Sequence, residues 1–127
     1  MKFSTRAEYG LKAMTNLAKS FPEKKSLFLI SKEEGISAKY LEQLMATLKK
    51  NKLIRSYKGK NGGYVLFKKP DLTKVGEIVE ILEGSIAPMK CDQHQCPICR
   101  CSSRIVWDKL GKQIRKTLYG IKLSELI

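Results

Sequence analysis

The chain has 127 residues, with 25 Lys and Arg against 12 Asp and Glu, a net charge of +13, and 4 Cys. That length suits one compact core burying roughly two thirds of the unfolded surface, and so large a cationic excess favours polyanionic partners, nucleic acid ahead of an anionic membrane. No apolar run approaches the roughly 20 residues that span a bilayer, and the opening MKFSTRAEYG leads into an amphipathic pattern rather than a signal-peptide core, so a cytoplasmic chain with no membrane partner is expected.

Thr5 and Glu8 stand at capping-box spacing, and Ala7, Leu11, Met14, Leu17, Ala18 and Phe21 follow at helical intervals, which predicts a first helix ending before Pro22. Leu27 to Glu34 reads as a short second helix with Gly35 in the turn beyond it. Ser37 can cap a third helix running to about Asn51, with Leu41, Leu44, Met45 and Leu48 inward and Lys39, Glu42, Gln43, Ala46 and Lys49 outward. Two helices joined by a tight Gly-containing turn make a helix-turn-helix.

From Leu53 to Phe67 the composition turns β-branched and aromatic on both sides of Lys58-Gly59-Lys60-Asn61-Gly62-Gly63, which predicts a hairpin with a basic tip. A hairpin directly after a helix-turn-helix is a wing, whose tip can follow the DNA backbone or enter the minor groove. Between Gln43 and Pro70 there are 8 Lys or Arg and no acidic residue, so this stretch is the electrostatic centre of the chain. Thr73 is expected to cap a fourth helix carrying Val75, Ile78, Val79 and Leu82 and ending at Gly84. An irregular cysteine-rich loop comes next. A last helix from about Ser103 to Tyr119 places Val106, Trp107, Leu110, Ile114 and Leu118 on one side. A stripe of that length on a terminal helix needs a partner, and a symmetric homodimer packed through it is the expected assembly, since helix-turn-helix proteins read half-sites one helical turn apart.

The expected architecture is therefore mainly α with a small β wing. It comprises a winged helix-turn-helix DNA-binding unit over 1–84, a cysteine sensor loop over 85–102, and a dimerisation helix with its tail over 103–127. The N-terminal end of the third helix is the end that enters the major groove, which singles out Ser37, Lys39, Glu42 and Gln43. Gln pairs with adenine, Glu accepts from the cytosine amino group, and Lys reaches guanine or phosphate. At the wing tip, Lys58 and Lys60 supply charge beside glycines that allow close backbone approach. An ordinary solvated helix face and an ordinary exposed turn are the alternatives at the two places.

Cys91, Cys96, Cys99 and Cys101 lie within KCDQHQCPICRC, with His94 among them. Thiolates crowded this closely suit an iron–sulfur cluster, zinc or a metal-free thiol switch better than a disulfide framework, although the spacing is not that of a zinc ribbon. Lys90 and Arg100 favour the thiolate form. No nucleophile with a placed His base and no phosphate-binding loop is visible, so an enzyme is not expected. A thiol oxidoreductase using Cys96 and Cys99, or a winged-helix protein-interaction module, are the competing readings.

Lys2-Phe3-Ser4-Thr5-Arg6-Ala7-Glu8-Tyr9, the run Gly35-Ile36-Ser37-Ala38-Lys39-Tyr40-Leu41-Glu42-Gln43-Leu44, the wing Gly59-Lys60-Asn61-Gly62-Gly63-Tyr64 and the ending Ile121-Lys122-Leu123-Ser124-Glu125-Leu126 together resemble the Rrf-two-type transcription regulators over essentially the whole chain. The family includes iron–sulfur, nitric-oxide-sensing and cysteine-metabolism regulators. The resemblance implies a dimeric winged helix that binds a double-stranded DNA operator. Its base-reading positions fall on Ser37, Lys39, Glu42 and Gln43, its wing cation on Lys58, and an N-terminal phosphate contact on Lys2. Cluster-binding members carry three cysteines in the loop, which align on Cys91, Cys96 and Cys101 and imply an iron–sulfur cluster of the 2Fe–2S kind. Each gap here is one residue shorter than the family's, and Cys99 is additional. Cys99 takes the place of an outside fourth ligand or of Cys101, or the loop holds a different centre; Glu8 and His94 are the other candidate fourth ligands.

Overall fold

The computed structural model describes residues 2–88 and 102–127. The described fold is mainly helical with one small antiparallel sheet. Helices α1 (Thr5–Ser20), α2 (Leu27–Glu34) and α3 (Ala38–Lys50) precede the hairpin β1 (Ile54–Tyr57) and β2 (Gly63–Leu66). A 3-10 turn over Pro70–Leu72 leads to α4 (Val75–Glu83), and α5 (Arg104–Tyr119) is followed by a 3-10 turn over Leu123–Leu126.

The expected inward stripes supply the core. Met14 and Leu17 of α1, Leu41, Leu44, Met45 and Leu48 of α3, Ile54 of β1 and Ile78 of α4 are all at most 1% exposed. Each such side chain contributes about 1.5–3 kcal/mol relative to an exposed one. Helix α1 crosses α4 where Gly10 faces Leu82; a Cβ on Gly10 would run into the Leu82 side chain, so the missing side chain sets the spacing of the two helices. Leu123 is fully buried, and the tail is stitched to the start of α4 by Leu123 N–H donating to the Thr73 carbonyl at 2.8 Å and Val75 N–H to the Ile121 carbonyl at 2.9 Å.

Two expected caps lie elsewhere. The N-cap of α1 is Ser4, whose hydroxyl accepts from Ala7 N–H at 3.2 Å from an extended backbone, so Thr5 is the first helical residue and Glu8 is not a capping-box partner. Glu8 faces Lys12 one turn on, at 3.9 Å. Thr73 does not cap α4, because its backbone is committed to the tail and its hydroxyl donates to the Lys69 carbonyl at 3.2 Å. Lys74 occupies the cap position, and its N–H donates to the carboxylate of Glu77 at 3.5 Å.

Helix α5 behaves differently from the rest. Only Gly111 is buried on it, whereas Ile105, Val106 and Leu110 are exposed and Trp107, Ile114 and Leu118 are half-buried. Its C-terminal half is held to α4: Arg115 donates to Glu80 at 2.6 Å, the Tyr119 hydroxyl donates to the other oxygen of Glu80, and the Tyr119 ring fills the space over Gly76. Among the described residues no helix is long and apolar enough to cross a membrane.

Candidate nucleic-acid interface

Gly35 ends α2 in the left-handed conformation at φ 66°, which turns the chain sharply toward α3. Ser37 then caps α3, accepting from Tyr40 N–H at 3.2 Å. The capped oxygen satisfies the helix end while its O–H remains free to donate outward. The α3 stripe at Leu41, Leu44, Met45 and Leu48 is buried, which rotates Lys39, Glu42 and Gln43 to the surface beside exposed Ser37. All four lie in the first two turns, at the end whose dipole favours anions.

The wing follows directly. Ile54 pairs with Leu66, Arg55 with Val65, Ser56 with Tyr64 and Tyr57 with Gly63, which leaves Lys58 and Lys60 exposed in the connecting loop. Two adjacent glycines are required there for different contacts. A side chain on Gly62 would strike the Tyr57 carbonyl, and one on Gly63, at φ +147°, would come within 2.7 Å of the Lys25 carbonyl oxygen.

That second contact reveals an attachment the pattern of the sequence does not announce. Lys25, in the α1–α2 connector, pairs with Tyr64 as an added strand residue, Lys25 N–H donating at 2.9 Å and Tyr64 N–H returning at 2.8 Å. Its ammonium donates to the Oδ1 of buried Asn16 at 2.7 Å and pairs with Glu33, while the Asn16 amide donates to Glu33 at 3.2 Å and Glu34 at 2.7 Å. The hydrogen bond from Lys25, with that from Asn16, holds the Glu33 carboxyl below the usual carboxylate value. Helices α1 and α2 and the wing thereby share one polar joint. Burial pushes the Tyr64 hydroxyl up, reinforced by the Glu42 carboxylate, so a candidate base-reading residue of α3 stands in the field of the wing base. The signals available in the sequence were Asn16, a polar residue on the inward face of α1, and the Lys24-Lys25 pair between the helices.

Lys2 is exposed and lines an open groove with Phe3, Glu83 and Trp107. Ser4 N–H donates to Glu83, which fixes this N-terminal arm to the end of α4. The cysteine positions Cys91, Cys96, Cys99 and Cys101, and His94, lie outside the described residues. Among the described residues no group of three or more His, Cys, Asp or Glu could hold a metal ion. Glu8 is on the exposed side of α1, its side chain 64% accessible.

A capped, exposed recognition helix beside a basic two-stranded wing defines a winged helix-turn-helix of the transcription-regulator class. The chain belongs to the Rrf2 family, described as "Iron-dependent Transcriptional regulator", whose model matches residues 3–127. It is 35% identical to the HTH-type transcriptional regulator CymR of Bacillus subtilis over 99% of this chain and 89% of that protein. It is 34% identical to the HTH-type transcriptional regulator IscR of Erwinia tasmaniensis over 100% of this chain and 79% of that one. Among solved structures, CymR, the global cysteine regulator of B. subtilis, superposes with a TM-score of 0.86 at 33% identity, covering 99% of this chain and 95% of that one. T. potens IscR superposes at 0.83 with 36% identity, covering 99% and 85%. The family consists of transcriptional regulators and not of enzymes.

Proposed function

We propose that the chain is a cytoplasmic regulator, acting as a repressor, that binds a double-stranded DNA operator as a homodimer and responds to iron–sulfur or redox state through its cysteine segment. The observation that carries the DNA-binding part is the exposed set Ser37, Lys39, Glu42 and Gln43 at the capped start of α3, beside a wing whose loop presents Lys58 and Lys60. In this reading the four helix residues contact base edges, Lys58 and Lys60 contact the backbone or minor groove, and Lys2 contacts a phosphate. A Lys rather than an Arg at position 58 weakens selectivity for a narrow minor groove. The chain divides by role into the DNA-reading unit of 1–84, the sensor segment of 85–102 and the dimerisation unit of 103–127.

The exposed Ile105, Val106 and Leu110 of α5 support a dimer seam. The sensing part rests on the donor set: four thiols between Cys91 and Cys101 supply the soft ligands that an iron–sulfur cluster requires. Cys91, Cys96 and Cys101 would hold a 2Fe–2S cluster, with Cys99, Glu8 or His94 completing it. Such a cluster would supply a redox-active group whose gain or loss changes the charge carried between α4 and α5. The family description, and the IscR and cysteine-regulator relatives, favour a sensor of iron or sulfur status over an unregulated DNA binder.

Anaerobic purification followed by iron and sulfide analysis, an absorption spectrum and selection of genomic fragments by the loaded and stripped protein tests both parts. A coloured, iron-containing protein whose selection of fragments differs between the two forms is expected. A colourless, iron-free protein overturns the cluster and leaves a thiol switch, and absence of salt-dependent DNA affinity in both forms overturns the regulator. A Leu110→Glu chain that remains dimeric in sedimentation would refute the seam.

A further inference from the structure

By the two-residue alternation of a strand, Arg55 and Tyr57 of β1 face away from buried Ile54 and Leu66, on the outer side of the wing. Two rings lie open there, Tyr57 at 43% and Phe67 at 39% exposure, and each carries a cation on its face. Lys24 Nζ sits 4.3 Å from the Tyr57 ring centre, and the Arg55 guanidinium 4.4 Å from that of Phe67. Beside them runs an open groove of about 390 Å³ that Lys49, Ile54, Arg55, Tyr57 and Phe67 help to line. Among the described residues, Lys24, Lys49 and Arg55 are in none of the ion pairs, all of which involve other cations.

We propose that this outer face of the wing docks an acidic, apolar-anchored segment of a partner protein, separately from the helix that reads DNA. The chemistry selects the occupant. Stacking a base on the covered face of either ring would first displace its cation, Lys24 from Tyr57 or Arg55 from Phe67. A phosphate backbone would leave the exposed apolar surface of Phe67 unused, whereas a peptide combining carboxylates with one large apolar side chain matches both the cations and the groove. A second copy packed on this face by two-fold symmetry would set Lys24, Lys49 and Arg55 against the same three cations, so the occupant is not this face of another copy. Through this face the protein can recruit a neighbour of opposite charge.

The test is fluorescence anisotropy with the full chain and a fluorescein-labelled peptide of sequence EDDLFDEE, with EDDSGDEE as the control of equal charge. The control peptide should bind about tenfold more weakly, and Phe67→Ala and Lys49→Glu should each weaken the EDDLFDEE complex about tenfold, the loss expected of an anchor contact. Lys112→Ala, an exposed position of α5, should stay within about twofold. Phe67→Ala should also leave random-sequence duplex affinity within about twofold. Circular dichroism on each variant separates unfolding from lost docking, and Lys49→Glu, an exposed helix position, keeps the test open should Phe67→Ala misfold. Equal binding of the two peptides, or insensitivity to both variants, overturns the proposal in favour of diffuse charge attraction. A Phe67→Ala chain that loses duplex affinity as much as peptide affinity overturns it in favour of a nucleic-acid surface.

Discussion

Replacing Gly63 with alanine asks whether the wing is held in place by the α1–α2 connector. The new Cβ would sit 2.7 Å from the Lys25 carbonyl oxygen and 2.8 Å from its carbonyl carbon, both backbone atoms that cannot rotate away. Relief requires the connector to move off, which breaks the Lys25–Tyr64 pair of hydrogen bonds at 2.9 and 2.8 Å. Each contributes about 1 kcal/mol net. The residue must also hold φ at +147°, a conformation that costs a side-chain-bearing residue on the order of 1–3 kcal/mol. The sum is a loss of about 3–5 kcal/mol. Gly35→Ala is the control, because Gly35 also has positive φ but nothing lies within 4 Å of its added Cβ, so only the left-handed penalty of about 1–2 kcal/mol applies. In urea denaturation followed by circular dichroism, with a slope of about 2 kcal/mol/M, the midpoint should fall by about 1.5–2.5 M for Gly63→Ala and about 0.5–1 M for Gly35→Ala. Equal midpoints for the two variants would show that the connector does not brace the wing.

Lys58→Ala should weaken duplex binding and lower the slope of log affinity against log salt by about 0.9, the value for one neutralised phosphate; unchanged affinity and slope remove the wing from the interface. Gly10→Ala should cost about 1–3 kcal/mol in a denaturation experiment by overpacking the α1–α4 crossing against Leu82. A wild-type midpoint would mean that the helices re-space freely. At Glu80, partial burial pushes the carboxyl up, but the hydrogen bonds from Tyr119 and Arg115 and the Arg115 charge bring it below the ordinary 4.5. The unfolded chain therefore binds this proton more tightly. The stabilisation is complete above about pH 4.5 and is lost as the pH falls through the lower folded value. Acid titration of wild type against Glu80→Gln should show their stability difference shrinking below about pH 4.5, and a constant difference would refute the assignment.

Helix periodicity made α1, α3 and α4 legible because each buries one face against the same core, and that face is the apolar stripe of the sequence. The stripe on α3 fixed which residues point outward without any knowledge of the tertiary structure. The caps were harder. Ser4 and Thr5 are adjacent hydroxyl residues, and only the backbone conformation decides which one meets the free N–H groups. Thr73 looked like a cap because its side chain suits one, but strand-like pairing with the tail, some 50 residues away in sequence, claims its backbone first. The Lys25–Tyr64 bridge was invisible for the same reason: two isolated residues form it, and neither gives a period. On α2, exposed Phe28 and Leu29 show that apolar identity does not by itself place a side chain inside.

The C-terminal end of α5 is tied into the core, and in the proposed regulator this bears on how a signal in the cysteine segment reaches DNA. The C-terminal end is fixed to the helical core by Glu80, by the Tyr119 ring over Gly76, and by the tail bonds to Thr73 and Val75. The N-terminal end, which segment 89–101 joins to α4, presents exposed Ile105 and Val106. A helix of 16 residues is about 24 Å long. Turned by about 10° about its C-terminal end, its N-terminal end moves about 4 Å, a shift that would matter where two such helix-turn-helix units must meet half-sites about 34 Å apart. In the proposed dimer the seam lies on that same helix, so a change in the segment would act at the long end of the lever, with the Glu80–Arg115–Tyr119 joint as its pivot. Coupling between the segment and α3 thus requires no contact between them. It would require only that the pivot stay rigid while the N-terminal end moves.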